Sequence, residues 1–203
     1  MDPRAIEQAH EQLERARHAS KLLRSLSEKA WKNDLNAQRN AWADILEHGR
    51  RALVLLEMGA RGSAGNGWFG GVKHVVKNDD LLRYLGQARD AQSHGLRRVV
   101  DAEPGHIEIT AHSIGDFAMQ FHVDGDGQIS VTPTAGVVTG YSRTRIELKP
   151  VRTRSGEYPV PETHLGNPIS DRSVAGLAEA YVDFLDEVIA KATTFKPSNS
   201  DLT

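Results

Sequence analysis

The order of residue periodicities along the chain predicts an α+β fold. Residues 1–100 place apolar side chains at three- and four-residue steps, as amphipathic helices do, whereas residues 106–149 largely alternate apolar with polar side chains, as half-buried strands do. A final segment, residues 173–193, returns to the helical period. Because helices and strands are segregated along the chain, we expect an antiparallel sheet and not an alternating α/β fold.

The composition is that of an ordinary folded protein. The chain has 203 residues, 39% of them hydrophobic, which suffices for one well-buried core. It contains no cysteine, which excludes disulfides, thiolate zinc sites and cysteine nucleophiles and suits a reducing compartment. No apolar run approaches the roughly 20 residues that span a bilayer, and the first residues lack the apolar stretch of a secretory signal. We therefore expect a cytoplasmic protein without membrane contact.

Three helices are predicted in the first half and should form an antiparallel bundle. They cover residues 3–30, 34–58 and 79–100. The second helix starts at the capping residue Asp34 and stops before Gly59, and Pro104 prevents the third from continuing. The glycine-rich residues 59–78 break the pattern, so they are predicted to form a long loop that Trp68 and Phe69 pin to the core.

The second half is predicted to form a small antiparallel sheet covered by the last helix. The predicted strands are residues 107–114, 117–123, 128–132 and 144–149. Asp124-Gly125-Asp126-Gly127 is typical of a hairpin turn, so residues 117–132 should form one hairpin. We divide the chain into a helical region, residues 1–103, and a sheet with a C-terminal helix, residues 104–203, packed together as one unit.

The net charge of −2 conceals opposite charges in the two halves. Residues 1–100 hold 17 Lys and Arg against 12 Asp and Glu, a balance of +5, and residues 101–203 hold 8 against 15, a balance of −7. A basic half would attract phosphate and an acidic half would repel it. Solvated helix faces also differ in sign by chance, so the asymmetry favours nucleic-acid binding only together with a second observation.

That second observation is an arginine in line with the apolar stripe of the third predicted helix. The stripe consists of Leu82, Leu85, Gln92, Leu96 and Val99. Arg89 falls on it although an unpaired arginine is costly to bury, Asp90 follows at once, and His94 lies five residues on. On a helix, Arg89 and His94 are about 140° and roughly 7–8 Å apart. They can meet at one phosphate if Arg89 reaches along the helix, or if a twofold dimer supplies a second copy.

The segment Arg89-Asp-Ala-Gln-Ser-His94 resembles the R-x(4–6)-H motif of the HEPN superfamily, including the polar residue after the arginine. The resemblance covers residues 1–100 and implies a small helical bundle, commonly dimeric. Many HEPN domains are metal-independent endoribonucleases of toxin or antiphage systems, and others are binding modules without activity. Asp90 stands where asparagine is more frequent in the family, which places a carboxylate beside the phosphate site.

The resemblance implies a catalytic group of Arg89, His94 and Asp90 that needs neither metal nor cofactor. In metal-free RNA cleavage the 2′-hydroxyl attacks the adjacent phosphate, and His94 would transfer protons while Arg89 binds the phosphate. Substrate-binding residues would be Ser93, Arg83, Arg97 and Arg98. The implied partners are RNA, a second copy of the chain, and a protein partner such as an antitoxin.

Two other interpretations of this segment stay open. Arg89 and Asp90 could form a structural ion pair that ties helices together in a noncatalytic interaction protein. The segment could also bind RNA or a nucleotide without cleaving it. A calcium loop is excluded, because alignment on Gly127 puts His122 and Pro133 at the terminal ligand positions. No zinc-type ligand spacing completes the strand histidines, so no metal site is predicted.

Overall fold

The computed structural model describes residues 1–28, 34–93, 100–103, 107–111, 119–123, 129–133, 137–141, 145–153 and 156–195. The helices in this part of the chain are α1 (Pro3–Glu28), α2 (Leu35–Ala60), α3 (Gly65–Asn78), α4 (Asp80–Ser93) and α5 (Val174–Thr194). The strands are β1 (Val100–Glu103), β2 (Ile107–Ala111), β3 (Met119–Val123), β4 (Ile129–Pro133), β5 (Val137–Tyr141), β6 (Arg145–Leu148), β7 (Val151–Thr153), β8 (Gly156–Tyr158), β9 (Thr163–His164) and β10 (Asn167–Pro168). The predicted α+β class is confirmed.

Helices α1 and α2 form a long antiparallel pair. The Asp2 N–H donates to the Gly59 carbonyl at 2.9 Å, so the start of α1 meets the end of α2. Nearer the middle of the pair, His48 Nδ1 lies 2.8 Å from Gln12 Oε1. Asp34 caps α2 as predicted, because its carboxylate accepts the backbone N–H groups of residues 36 and 37. The two predicted helices are confirmed, and their facing sides form the centre of the core.

The prediction of a loop over residues 59–78 was wrong, because residues 65–78 form α3. Glycine is a poor helix former, but apolar side chains at three- and four-residue steps give α3 a packing face, and packing outweighs propensity in a folded protein. Phe69 is buried and Trp68 is half-buried against the core, as expected of residues that pin this segment. In the described chain, therefore, four helices precede the first strand instead of three.

The third predicted helix is also shorter than expected. It corresponds to α4, which ends at Ser93, and the predicted end at Val100 is instead the first residue of β1. Residues 94–99 lie outside the described part of the chain. Strand β1 pairs antiparallel with β6, Val100 opposite Leu148, so the region predicted to be helical up to residue 103 contributes a strand.

The described strands form antiparallel pairs. The pairs are β1–β6, β2–β5, β3–β4, β7–β8 and β9–β10. The predicted hairpin over residues 117–132 is confirmed by β3 and β4, in which Phe121 lies opposite Val131. Its turn, residues 124–128, lies outside the described residues. The predicted strands at 107–114 and 144–149 correspond to β2 and β6.

The prediction that the C-terminal helix covers the sheet was wrong. Helix α5 packs chiefly against α1 and α2 and meets the strands at β6. Its buried side chains include Tyr181, Leu185 and Ile189, and an amphipathic pattern does not specify which surface such a face covers. Arg24 of α1 adds an ion pair to Glu179 of α5 at 2.5 Å. The last helix thus completes the core of the helical half.

One hydrophobic core joins the two halves of the sequence. It contains residues from all five described helices together with Val100, Ile146, Leu148 and Val151 of the strands. Among the described helices, none is both long and apolar enough to cross a membrane.

Candidate functional site

Helix α4 carries the candidate site and is fixed by its buried face and by contacts in its first half. Its buried side chains are Leu81, Leu82, Tyr84, Leu85 and Ala88. The Tyr84 hydroxyl donates to the Lys149 carbonyl at 2.8 Å, which ties the helix to the strand region. Burial raises the pKa of Tyr84 far above its ordinary value, so this hydroxyl stays protonated and remains a donor. The exposed surface of α4 therefore has a defined position.

The start of α4 is held by Asp79, which caps the helix and also makes contacts to the β9–β10 turn that the sequence did not indicate. The Asp79 carboxylate accepts the Leu82 N–H at 2.9 Å, the His164 Nδ1–H at 3.0 Å and the Leu165 N–H at 2.6 Å. Leu165 adopts a left-handed φ of 49°, a backbone conformation that is uncommon for a leucine. The β9–β10 turn is thereby clamped onto the N-terminus of the helix that carries Arg89.

Arg89 lies in the last part of α4 and is half-buried, with 32% of its side chain exposed. Its Nε and Nη2 groups donate to Glu47 Oε2 of α2 at 3.1 and 3.0 Å, and its Nη1 donates to Asp90 Oδ1 at 3.2 Å. The predicted position on the packing stripe is thus only partly borne out, because the guanidinium lies at the edge of the core. An intrachain carboxylate from another helix satisfies it.

Glu47 connects two arginines in this site. Its Oε1 accepts Arg51 Nε at 2.8 Å while its Oε2 accepts Arg89. The bond from Arg51, together with that from Arg89, lowers the pKa of the Glu47 carboxyl below its ordinary value. The bond to Glu47 raises the pKa of Arg89, so both groups are charged at neutral pH. The result is a fixed, permanently charged guanidinium at the protein surface.

The other predicted residues are distributed as follows. Asp90 is 56% exposed and pairs with Arg89 of its own chain. Arg83 pairs with Asp80 at 3.0 Å and stands 5.9 Å over the Tyr158 ring. It lies about 9 Å along α4 from Arg89 and about 120° around it, so the structure does not bring these two arginines together. His94, Arg97 and Arg98 lie outside the described residues, as does the side chain of Ser93.

Glu47 is the residue of this site that the sequence did not single out. Its spacing of four residues from Arg51 indicates an ion pair on the surface of α2, and nothing more. Its second partner lies 42 residues away on α4, so only the packing of α4 against α2 reveals it. In the described part of the chain, no group of three or more histidine and carboxylate side chains is arranged to hold a metal ion.

Comparisons with known proteins find no significant match to this chain. No family model matches this chain, and no significant match exists among the curated proteins or the solved structures. The function is therefore inferred from the residues of the site and their geometry.

Replacing Glu47 with glutamine should remove an acid-sensitive part of the stability. The folded pKa of Glu47 is lowered from 4.5, so its charged form stabilises the fold above about pH 4.5 and that contribution is lost as the pH falls through the folded pKa. At pH 7 we expect Glu47→Gln to lower the free energy of unfolding by up to about 1 kcal/mol. Urea unfolding from pH 7 to pH 3 should show this difference shrinking below pH 4.5.

The matched control for this measurement is Glu187→Gln. Glu187 pairs with Lys191 on the exposed surface of α5, and each side chain is more than half exposed. Loss of the Glu187–Lys191 ion pair should change the free energy of unfolding by only a few tenths of a kcal/mol. A difference between Glu47→Gln and the unaltered chain that stays constant from pH 7 to pH 3 would contradict the structural role assigned to the Glu47 charge.

Proposed function

We propose that this chain is a HEPN-like, metal-independent endoribonuclease in which Arg89 and His94 act on the scissile phosphodiester. The observation that carries the proposal is the placement of Arg89, a fixed and half-buried arginine in the last part of α4, five residues before a histidine. An arginine held in this way loses little further side-chain freedom when it binds a phosphate, which would compete with Asp90 and Glu47 for the guanidinium. The positive balance of residues 1–100 also favours an anionic substrate.

The chemistry assigns a different task to each side chain. The RNA 2′-hydroxyl loses its proton to a base and attacks the adjacent phosphorus, while the bond to the 5′-oxygen breaks and that oxygen takes up a proton. Imidazole titrates near neutrality, so His94 suits proton transfer. Arg89 stabilises the additional negative charge on the phosphate oxygens. The products are a 2′,3′-cyclic phosphate and a 5′-hydroxyl, with no metal in the reaction.

A homodimer is part of this proposal. If the helix continued through residue 94, positions 89 and 94 would be about 140° apart, and one copy would present the two groups in different directions. A twofold axis beside the end of α4 would bring Arg89 of one copy near His94 of the other. Asp90, which is exposed beside Arg89, would then orient the catalytic groups.

The test of the proposed function is RNA cleavage by the unaltered chain in excess EDTA. We expect cleavage of single-stranded RNA to fragments that end in 2′,3′-cyclic phosphate, identified by mass spectrometry. Substituting 2′-O-methyl RNA should abolish the reaction, because the nucleophile is then blocked. Intact RNA after prolonged incubation with a large excess of protein would remove the nuclease assignment.

A noncatalytic interaction protein is the second candidate function, and the Glu47–Arg89 ion pair favours it. This pair joins α2 to α4 at 3.0 Å within one chain, as a structural contact would. If it is only structural, the chain will not cleave RNA, and Arg89→Ala will lower the melting temperature about as much as Glu47→Gln does. A nonenzymatic RNA-binding role would instead show RNA binding without cleavage.

A further inference from the structure

An open groove of about 1060 Å³ runs along the first half of α1 and the end of α5. Its apolar wall includes Pro3 and Ile6 of α1 and Phe195 directly after α5. Phe195 is fixed there by ring contact with Trp68, with centroids 5.9 Å apart. The groove is at the upper end of the size range of small-molecule sites and is open along its length. Its dimensions therefore suit an extended or helical polypeptide segment.

Carboxylates border this groove at helical spacing. Glu7, Glu11 and Glu14 follow one another by four and three residues, so they share one face of α1. Glu14 is bonded to Arg17, but Glu7 and Glu11 are exposed and have no ion pair or hydrogen bond to a side chain in the described residues. Arg15 is the only arginine or lysine among the described lining residues, which also include Met1 with its terminal amino group. The groove thus combines an apolar wall with carboxylates that lack partners.

We infer that this groove is a docking site for a basic amphipathic helix of a partner protein. The apolar face of that helix would pack on Ile6 and Phe195, and lysine or arginine side chains four residues apart would pair with Glu7 and Glu11. Helices commonly dock in this way, with apolar anchors in a groove and charges at its rim. Because carboxylates repel phosphate, the same surface disfavours RNA and anionic lipid. The inference does not depend on the nuclease assignment.

The probe for this site is a fluorescent peptide of about 15 residues, with leucines on one helical face and lysines beside them. Fluorescence anisotropy with the full chain should show binding that weakens with added salt, since exposed ion pairs are screened. A peptide with glutamates in place of the lysines should not bind. Glu7→Gln/Glu11→Gln should weaken binding about fivefold, which corresponds to roughly 1 kcal/mol, and should reduce the salt dependence.

Charge reversal distinguishes this site from unspecific attraction. Glu7→Lys/Glu11→Lys should prefer the glutamate peptide over the lysine peptide. The matched control is Asp183→Asn, which removes an exposed carboxylate of α5 outside the groove and should leave both affinities unchanged. Thermal melting of each variant, expected to match the unaltered chain, separates lost binding from lost folding.

Three outcomes would overturn the inference. One is that the lysine peptide does not bind to the unaltered chain. This outcome counts against the inference even if residues 196–203 or another segment occupies the groove instead. Another is equal weakening by Asp183→Asn and by the Glu7 and Glu11 changes. The third is self-association that weakens with Glu7→Gln/Glu11→Gln in sedimentation, since a second copy would then be the occupant.

Discussion

His94→Ala is expected to lower the rate of RNA cleavage at least about 100-fold, because a positioned general acid or base contributes that much or more. Arg89→Ala should have an effect of similar size, through loss of the charge that stabilises the transition state. Arg89→Lys keeps the positive charge but not the planar guanidinium with its paired N–H donors. We therefore expect Arg89→Lys to be more active than Arg89→Ala but less active than the unaltered chain. Initial rates on a labelled RNA in EDTA measure all three effects.

Stability measurements make this result interpretable. The control is His74→Ala, which removes an exposed histidine of α3 away from the end of α4 and should leave the cleavage rate unchanged. Arg89→Ala also breaks the bonds to Glu47, so its thermal melting must be measured beside its rate. Cleavage by His94→Ala at the rate of the unaltered chain would contradict the assigned role, as would activity that falls only in proportion to the folded fraction.

Gly49→Ala is expected to destabilise the fold by roughly 1–3 kcal/mol, the cost of overpacking a core. A Cβ atom at position 49 would lie 2.7 Å from Cζ of Tyr181, and both residues are buried where α2 meets α5. The Tyr181 ring cannot move outward without displacing its core neighbours. Chemical unfolding should show a lower midpoint with an unchanged slope, because stability changes and the exposed surface does not.

Gly86→Ala is the matched control, and its effect has the opposite sign. Gly86 is an exposed position inside α4, and a Cβ atom there would meet nothing within 4 Å. Alanine should therefore stabilise the helix by about 0.5–1 kcal/mol through its better helix propensity. If Gly49→Ala also stabilised the protein, the close approach of α2 and α5 described above would be wrong.

The helices and strands that follow a clear period were predictable from the sequence. Asp34 marks the start of α2, and the alternation in residues 117–132 marks the β3–β4 hairpin, because both signals are local. Helix α3 was missed since its glycines indicate a loop by local propensity, while its apolar face acts only through packing on the rest of the core. Local sequence patterns therefore predict most of the helices and strands, but they do not predict which of them pack against one another.

The same limit applies to the candidate site. The sequence singles out Arg89 by its position on an apolar stripe, and the structure does place it at the edge of the core. Its partner Glu47 could not be inferred, because the sequence alone does not show which acidic residue on which helix forms the ion pair with Arg89. The docking of α5 on α1 and α2 was missed for a related reason, since an amphipathic face does not specify which surface it covers.

The position of α5 has a consequence for synthesis on the ribosome. Helix α2 ends at Ala60 and α5 begins at Val174, 114 residues later, so the surface of α1 and α2 that α5 covers is complete long before α5 exists. At ordinary elongation rates this interval lasts roughly 6–23 s, far longer than a helical hairpin needs to form. During that time the nascent hairpin displays an uncovered hydrophobic seam, which makes it a substrate for chaperones that bind emerging chains.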